Sequence, residues 1–85
     1  MVQKNFTLKN EIGLHARPAS NFVKTAATFK SEVTFIKDEK EYNGKSIISV
    51  LSIGAVMGTE LTLQISGIDE EVAIEALTQV IENMN

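Results

Sequence analysis

The chain has 85 residues, 44% of them apolar, no cysteine and a formal net charge of −3. That is enough for one small domain with its own core, residues 1–85 as a unit. It excludes disulfides and cysteine metal sites, fits a reducing compartment, and argues against nucleic-acid binding, which relies on basic patches.

Taken in chain order, Val2 to Leu8 alternates, with Phe6 and Leu8 on one face and Asn5 and Thr7 on the other, and predicts a strand. Ala16 to Phe29 is helical by period, with Ala19, Phe22, Val23, Ala26 and Ala27 on one face. Glu32 to Lys37 reads as a strand with Val33 and Phe35 inward. A turn at Asp38-Glu39-Lys40 and a short returning strand, Glu41 to Asn43, follow. Lys45 to Ile53 is a short helix or turn, apolar on most sides. Glu60 to Ser66 alternates cleanly, with Leu61, Leu63 and Ile65 inward. Gly67 ends that strand. Asp69 is placed to cap a last helix, with Glu70 and Glu71 in its first turn. The expected buried stripe of this helix is Val72, Ala73, Ala76, Leu77, Val80, Ile81 and Met84.

The predicted order is therefore βαββαβα. Strands apolar on one face only imply a sheet with helices on one side and water on the other, an α+β open-faced sandwich. Strand order does not follow from the pattern. The amino-terminal Met1-Val2-Gln3-Lys4-Asn5 has no apolar leader character, and no run approaches the roughly 18 apolar residues of a membrane span. The chain is read as soluble, cytoplasmic and not inserted in a membrane.

The chemistry concentrates in Gly13-Leu14-His15-Ala16-Arg17-Pro18-Ala19, which holds the only histidine, arginine and proline of the chain. Pro18 suits the first turn of a helix, where its missing N–H is not needed. A helix start leaves N–H groups unpaired and attracts anions. Arg17 adds a permanently charged planar fork that matches phosphate oxygens. The imidazole of His15 is a candidate nucleophile, and the Ala16 and Arg17 region is where a phosphoryl group would be stabilised. Ser46 precedes the second helix and is either a simple N-cap or a phosphorylation site. Ile47, Ile48, Val50, Leu51 and Ile53 are too many for one buried face, so Ile47 or Ile48 is expected to be exposed to a partner.

The His15 segment is similar to the active-site signature of the HPr phosphocarrier family of the bacterial sugar phosphotransferase system. Gly44-Lys45-Ser46-Ile47-Ile48-Ser49-Val50-Leu51-Ser52-Ile53-Gly54 resembles the regulatory-serine region of its Gram-positive members. The family commonly has an alanine or a longer apolar residue where Gly44 stands, and Ile-Met-Gly where this chain has Ile47-Ile48-Ser49. The resemblance covers essentially the whole chain. It implies a four-stranded antiparallel sheet with three helices on one face. It also implies phosphoryl transfer from enzyme I to His15, at Nδ1, and onward to the A component of sugar-specific enzyme II. Arg17 would assist, and Ser46 would be phosphorylated by an HPr kinase/phosphorylase and read by a catabolite-control transcription factor. Ser20, Lys24, Lys45, Ile47, Ile48 and Leu51 form the implied partner surface. The implied protein is a monomeric carrier with a phosphohistidine intermediate rather than a stand-alone enzyme, without cofactor or metal.

Two rivals stand beside this reading. A purely regulatory HPr-like protein would act through Ser46 alone, but such relatives typically lack the histidine. A hydrolase using His15 as base would need a second catalytic group, and the motif offers none.

Overall fold

The computed structural model describes residues 1–84. Along the chain lie β1 (Val2–Thr7), α1 (Ala16–Ala26), β2 (Glu32–Lys37), β3 (Lys40–Asn43), α2 (Ile47–Ser52), β4 (Glu60–Ser66) and α3 (Glu70–Met84). The strands form one antiparallel sheet in the order β1-β4-β2-β3. β4 is therefore central, paired with β1 from Val2↔Ile65 to Thr7↔Glu60 and with β2 from Glu32↔Ser66 to Ile36↔Thr62. The β2–β3 hairpin turns through Asp38 and Glu39, both at positive φ (50° and 69°). Two such residues match the right-handed twist of the flanking strands.

The alternation read from the sequence carries straight into packing. Leu61, Leu63 and Ile65 of β4 and Val33 and Phe35 of β2 point into the core against Ala19, Phe22 and Ala26 of α1 and Ala73, Leu77 and Ile81 of α3. Phe22 and Phe35 lie with ring centroids 4.6 Å apart, and Phe6 meets Phe35 edge-on at 6.2 Å. On the wet face the ladder continues in side chains. Thr62 donates to Asn5 Oδ1 at 2.8 Å and Gln64 donates to Gln3 Oε1 at 3.2 Å.

Several expectations change. β1 ends at Thr7, although Leu8 beyond it is still buried. α1 ends at Ala26, and Ala27 is its exposed C-cap. Its N–H is shared between Thr25 O and Val23 O, the tightening that closes a helix. Phe29 turns back to the core after the helix has stopped. Val72 is 62% exposed because α3 rotates Ala73, Leu77 and Ile81 inward, with Ile74 partly buried beside them. Asp69 does more than precede α3. Its carboxylate accepts from Lys30 N–H at 2.8 Å, from Ser31 N–H at 2.9 Å and from the Ser31 hydroxyl, joining the α1–β2 loop to the start of α3.

Candidate functional site

His15 is the N-cap of α1. Its backbone is extended (φ −109°, ψ −174°), and its imidazole makes no capping hydrogen bond to the helix. The first intrahelical bond runs from Ala19 N–H to His15 O at 3.0 Å. The N–H groups of Ala16 and Arg17 lie ahead of it, and Pro18 has none to offer. No acidic residue stands in this first turn, so the helix itself sets no negative charge against an incoming anion.

The loop before His15 is held by contacts that dictate its residues. Leu14 N–H donates to Ala55 O at 3.0 Å. Gly13 has φ +82°, and a Cβ there would fall 2.5 Å from the Ala55 carbonyl oxygen and 2.8 Å from Val56 Cα. Only glycine allows these two segments to approach so closely at that dihedral. Pro18 and Ala19 are buried and anchor the first turn, while Arg17 remains exposed and His15 is half-buried. His15 and Arg17 share one cleft of about 380 Å³ with Asn10, Pro18, Asn21, Val80, Asn83 and Met84. The chain thus brings its one imidazole, its one guanidinium, the start of α1 and the end of α3 to a single place.

Ser46 is the N-cap of α2. Its hydroxyl accepts from Ser49 N–H at 3.2 Å and its carbonyl accepts from Val50 N–H at 2.9 Å. Ser49 in turn accepts from Asn43 N–H at 2.9 Å, fixing the start of α2 to the end of β3. Gly44 has a local reason: a Cβ would fall 2.5 Å from Val33 Cγ1, in a stretch where Gly44 N–H donates to Val33 O at 2.7 Å. A larger residue here would require the Val33 side chain to move aside.

The expected partner residues separate into two kinds. Ile47, Ile48 and Leu51 form an exposed apolar face on α2, with Ile48 at 78% exposure. Lys24 is exposed and Ser20 half-buried on α1. Lys45 differs: its ammonium donates to the Phe29 carbonyl at 2.6 Å, so its charge is tied to the loop after α1. Exposed Val56 and Met57 extend the apolar character beyond α2, and Ile12 adds another exposed apolar side chain before His15. Sequence reasoning missed these three. It also missed Asn10, Asn21 and Asn83 in the cleft, since loop and helix-end asparagines carry no periodic signal. Among the described residues no helix is long and apolar enough to cross a membrane.

Comparison with known proteins bears on the family and the fold. The family model described as the PTS HPr component phosphorylation site matches residues 2–83. The phosphocarrier protein HPr of Neisseria meningitidis serogroup A is 41% identical over 81 residues, 95% of this chain and 91% of that protein. The HPr-like protein Crh of Bacillus subtilis is 42% identical over 82 residues, 96% of each chain. A crystal structure of Crh, described as a swapped dimer, superposes with a TM-score of 0.78 at 40% identity, covering 99% of this chain and 97% of that one. The crystal structure of HPr from Thermoanaerobacter tengcongensis superposes with a TM-score of 0.93 at 44% identity, covering 99% and 94%. The same four-stranded sheet and three helices are thus found in solved structures of this kind.

Proposed function

Because the chain belongs to the HPr family of phosphocarrier proteins, we propose that residues 1–85 act as a single cytoplasmic carrier domain that accepts a phosphoryl group on His15 from enzyme I and passes it to the A component of a sugar-specific enzyme II. The observation that carries this reading is the uncapped start of α1, with His15 and Arg17 on one cleft. A ring nitrogen of the neutral imidazole attacks phosphorus, the bond to the donor breaks, and the developing charge on the phosphoryl oxygens meets the Arg17 guanidinium and the N–H groups of Ala16 and Arg17. Phosphoryl transfer needs little beyond such positioning and charge stabilisation. The site stays open to water and to partners, which suits a carrier that must release what it accepts. No cofactor or metal has a part in these steps.

Ser46 adds control in this reading. A kinase/phosphorylase would phosphorylate it at the start of α2, and the phosphate would gain N–H partners there without unfolding the helix. Nearly two negative charges beside the Ile47, Ile48 and Leu51 face would weaken docking of enzyme I and attract a regulator that offers arginine or lysine. That regulator would be a catabolite-control transcription factor. A second reading, action only through Ser46, is favoured by the likeness to Crh and opposed by the presence of His15. The carrier works as a monomer.

Incubation with phosphoenolpyruvate and enzyme I, followed by mass measurement, decides between them. One acid-labile phosphate is expected, and His15→Ala should abolish it. Undiminished labelling of that variant would remove His15 from the mechanism.

A further inference from the structure

The segment between β1 and His15 carries the proposed nucleophile, so whatever holds this segment decides where the imidazole stands. Its ends are fixed by main chain. Leu8 N–H donates to Thr59 O at 3.0 Å, Gly58 N–H donates to Leu8 O at 2.7 Å, and Leu14 N–H donates to Ala55 O at 3.0 Å. Between these anchors Gly13 N–H is shared: the Asn10 main-chain carbonyl accepts it at 3.2 Å and Asn10 Oδ1 at 2.7 Å, while Asn10 Nδ2 donates to the Met84 carbonyl at 3.1 Å, the longer reach that only the side chain makes. Both halves of the carboxamide are used, and its orientation is forced: a flipped amide would set donor against donor and oxygen against oxygen. Met84 is the last residue of α3, where helix carbonyls lack intrahelical partners. A single planar group therefore ties the end of α3 to the residue two positions before His15. Asn10 and Met84, with Val80 and Asn83, wall the cleft into which His15 and Arg17 open.

We infer that Asn10 is a positioning residue for phosphoryl transfer, clamping the His15 loop to the end of α3; this rests on the reading of His15 as the phosphoryl acceptor. Asn10 is not itself catalytic, because its carboxamide is occupied by Gly13 and Met84. Its effect passes through the loop. Displacing a nucleophile by ~1 Å can cost about 10²-fold in rate. The Ile47, Ile48 and Leu51 face proposed for docking belongs to another element, so loosening the loop lowers kcat and leaves KM for the partner in place. No shorter residue repeats the arrangement. Serine retains an acceptor for Gly13 N–H, as in local hydroxyl turns, but is too short for Met84.

The test uses the full-length chain with phosphoenolpyruvate and enzyme I. For Asn10→Ala, kcat for phosphorylation of His15 should fall about 10-fold while KM for the carrier stays within about twofold. The Gly13 amide should exchange faster, and the His15 ring protons should shift in NMR spectra. Asn10→Ser should keep more of the Gly13 amide protection and fall between the two in rate. A wild-type kcat for Asn10→Ala overturns the inference, as does a loss fully explained by its unfolded fraction in circular dichroism. If Asn10→Ala does not fold, Asn10→Ser decides alone: reduced kcat with an intact fold supports the clamp, and a wild-type kcat overturns it. An unlabelled wild-type chain beside active enzyme I would instead remove the carrier reading, and the clamp's catalytic role with it.

Discussion

Two helix starts in this molecule are built in opposite ways. At α1 the N-cap is His15, which gives the helix no side-chain hydrogen bond, and the first turn contains no acidic residue. At α3 the side chains are acidic and engaged with the rest of the protein. Glu70 and Glu71 stand in the first turn, Glu70 accepts from Gly67 N–H at 3.1 Å and pairs with the amino terminus at 3.0 Å, and Asp69 reaches across to Lys30 and Ser31. The difference teaches what a helix start is for in each place. α3 sets Glu70 and Glu71 against its own positive end, which favours the fold. α1 has neither a side-chain cap bond nor an acidic first turn, the arrangement that the proposed phosphoryl acceptor would need. The start of α2 lies between the two, capped by the Ser46 hydroxyl that a phosphate could replace.

The largest break in this contrast comes at Arg17. Arg17→Ala should slow transfer by roughly 10- to 10³-fold, as when a transition-state donor is lost. Its effect on stability should stay under about 1 kcal/mol, as for an exposed site. Stopped mixing with phosphorylated enzyme I and a thermal melt measure the two separately. Normal transfer with a large fall in melting temperature would place Arg17 among the structural groups, and α1 would then resemble α3.

The next effect belongs to Asp69. Its carboxyl is held below the ordinary carboxylate range, first by the Ser31 hydroxyl and then by the Lys30 N–H, against some desolvation. Glu70 is lowered as well, chiefly by Gly67 N–H and then by the amino terminus. A carboxyl with a depressed folded-state pKa binds its proton less readily when folded. The stability it contributes is complete above its unfolded value, about 3.9 for Asp, and is lost as pH falls through the folded one. Asp69→Asn should therefore be less stable than wild type at neutral pH, and the gap should close below about pH 4. Urea titrations across that range measure it, and a gap that widens in acid would contradict the assignment. Neither transfer from enzyme I nor labelling of His15 should change much at neutral pH, because this tie lies away from the His15 cleft.

The smallest effect is at Ser46. Ser46→Ala removes one capping bond and should cost about 1 kcal/mol, read from denaturant midpoints. Ser46→Asp keeps an acceptor for Ser49 N–H and should retain wild-type stability while slowing phosphorylation of His15. If that variant accepts phosphate at the wild-type rate, Ser46 is a helix cap only.

Much of this molecule was legible because it depends on neighbours in the chain. The alternation of Leu61, Leu63 and Ile65 fixes which face of β4 is buried, since successive strand side chains point to opposite sides. Pro18 marks the start of α1 because its ring suits only the first turn. The rarity of His15 and Arg17 pointed to the start of α1, where both side chains line one cleft. Boundaries were less legible: α1 stops at Ala26 although Ala27 and Phe29 continue its apolar pattern, because a pattern shows which residues seek the core and not which backbone carries them there.

What the tertiary structure alone decided are contacts between residues far apart in sequence. The order β1-β4-β2-β3 follows from how whole faces pack, and no local pattern encodes it. Val72 looked like core and is exposed, because the packing of Ala73, Leu77 and Ile81 sets the rotation of α3. Asp69 stands at the cap position of α3, its carbonyl accepting from Ala73 N–H, while its carboxylate serves a loop 38 and 39 positions away. Lys45, implied as part of the partner surface, also donates to a carbonyl 16 positions away. Asn10 reaches 74 positions to Met84. Hydrogen bonds require partners at about 3 Å in a defined direction, and only the folded chain determines which distant groups meet at that range.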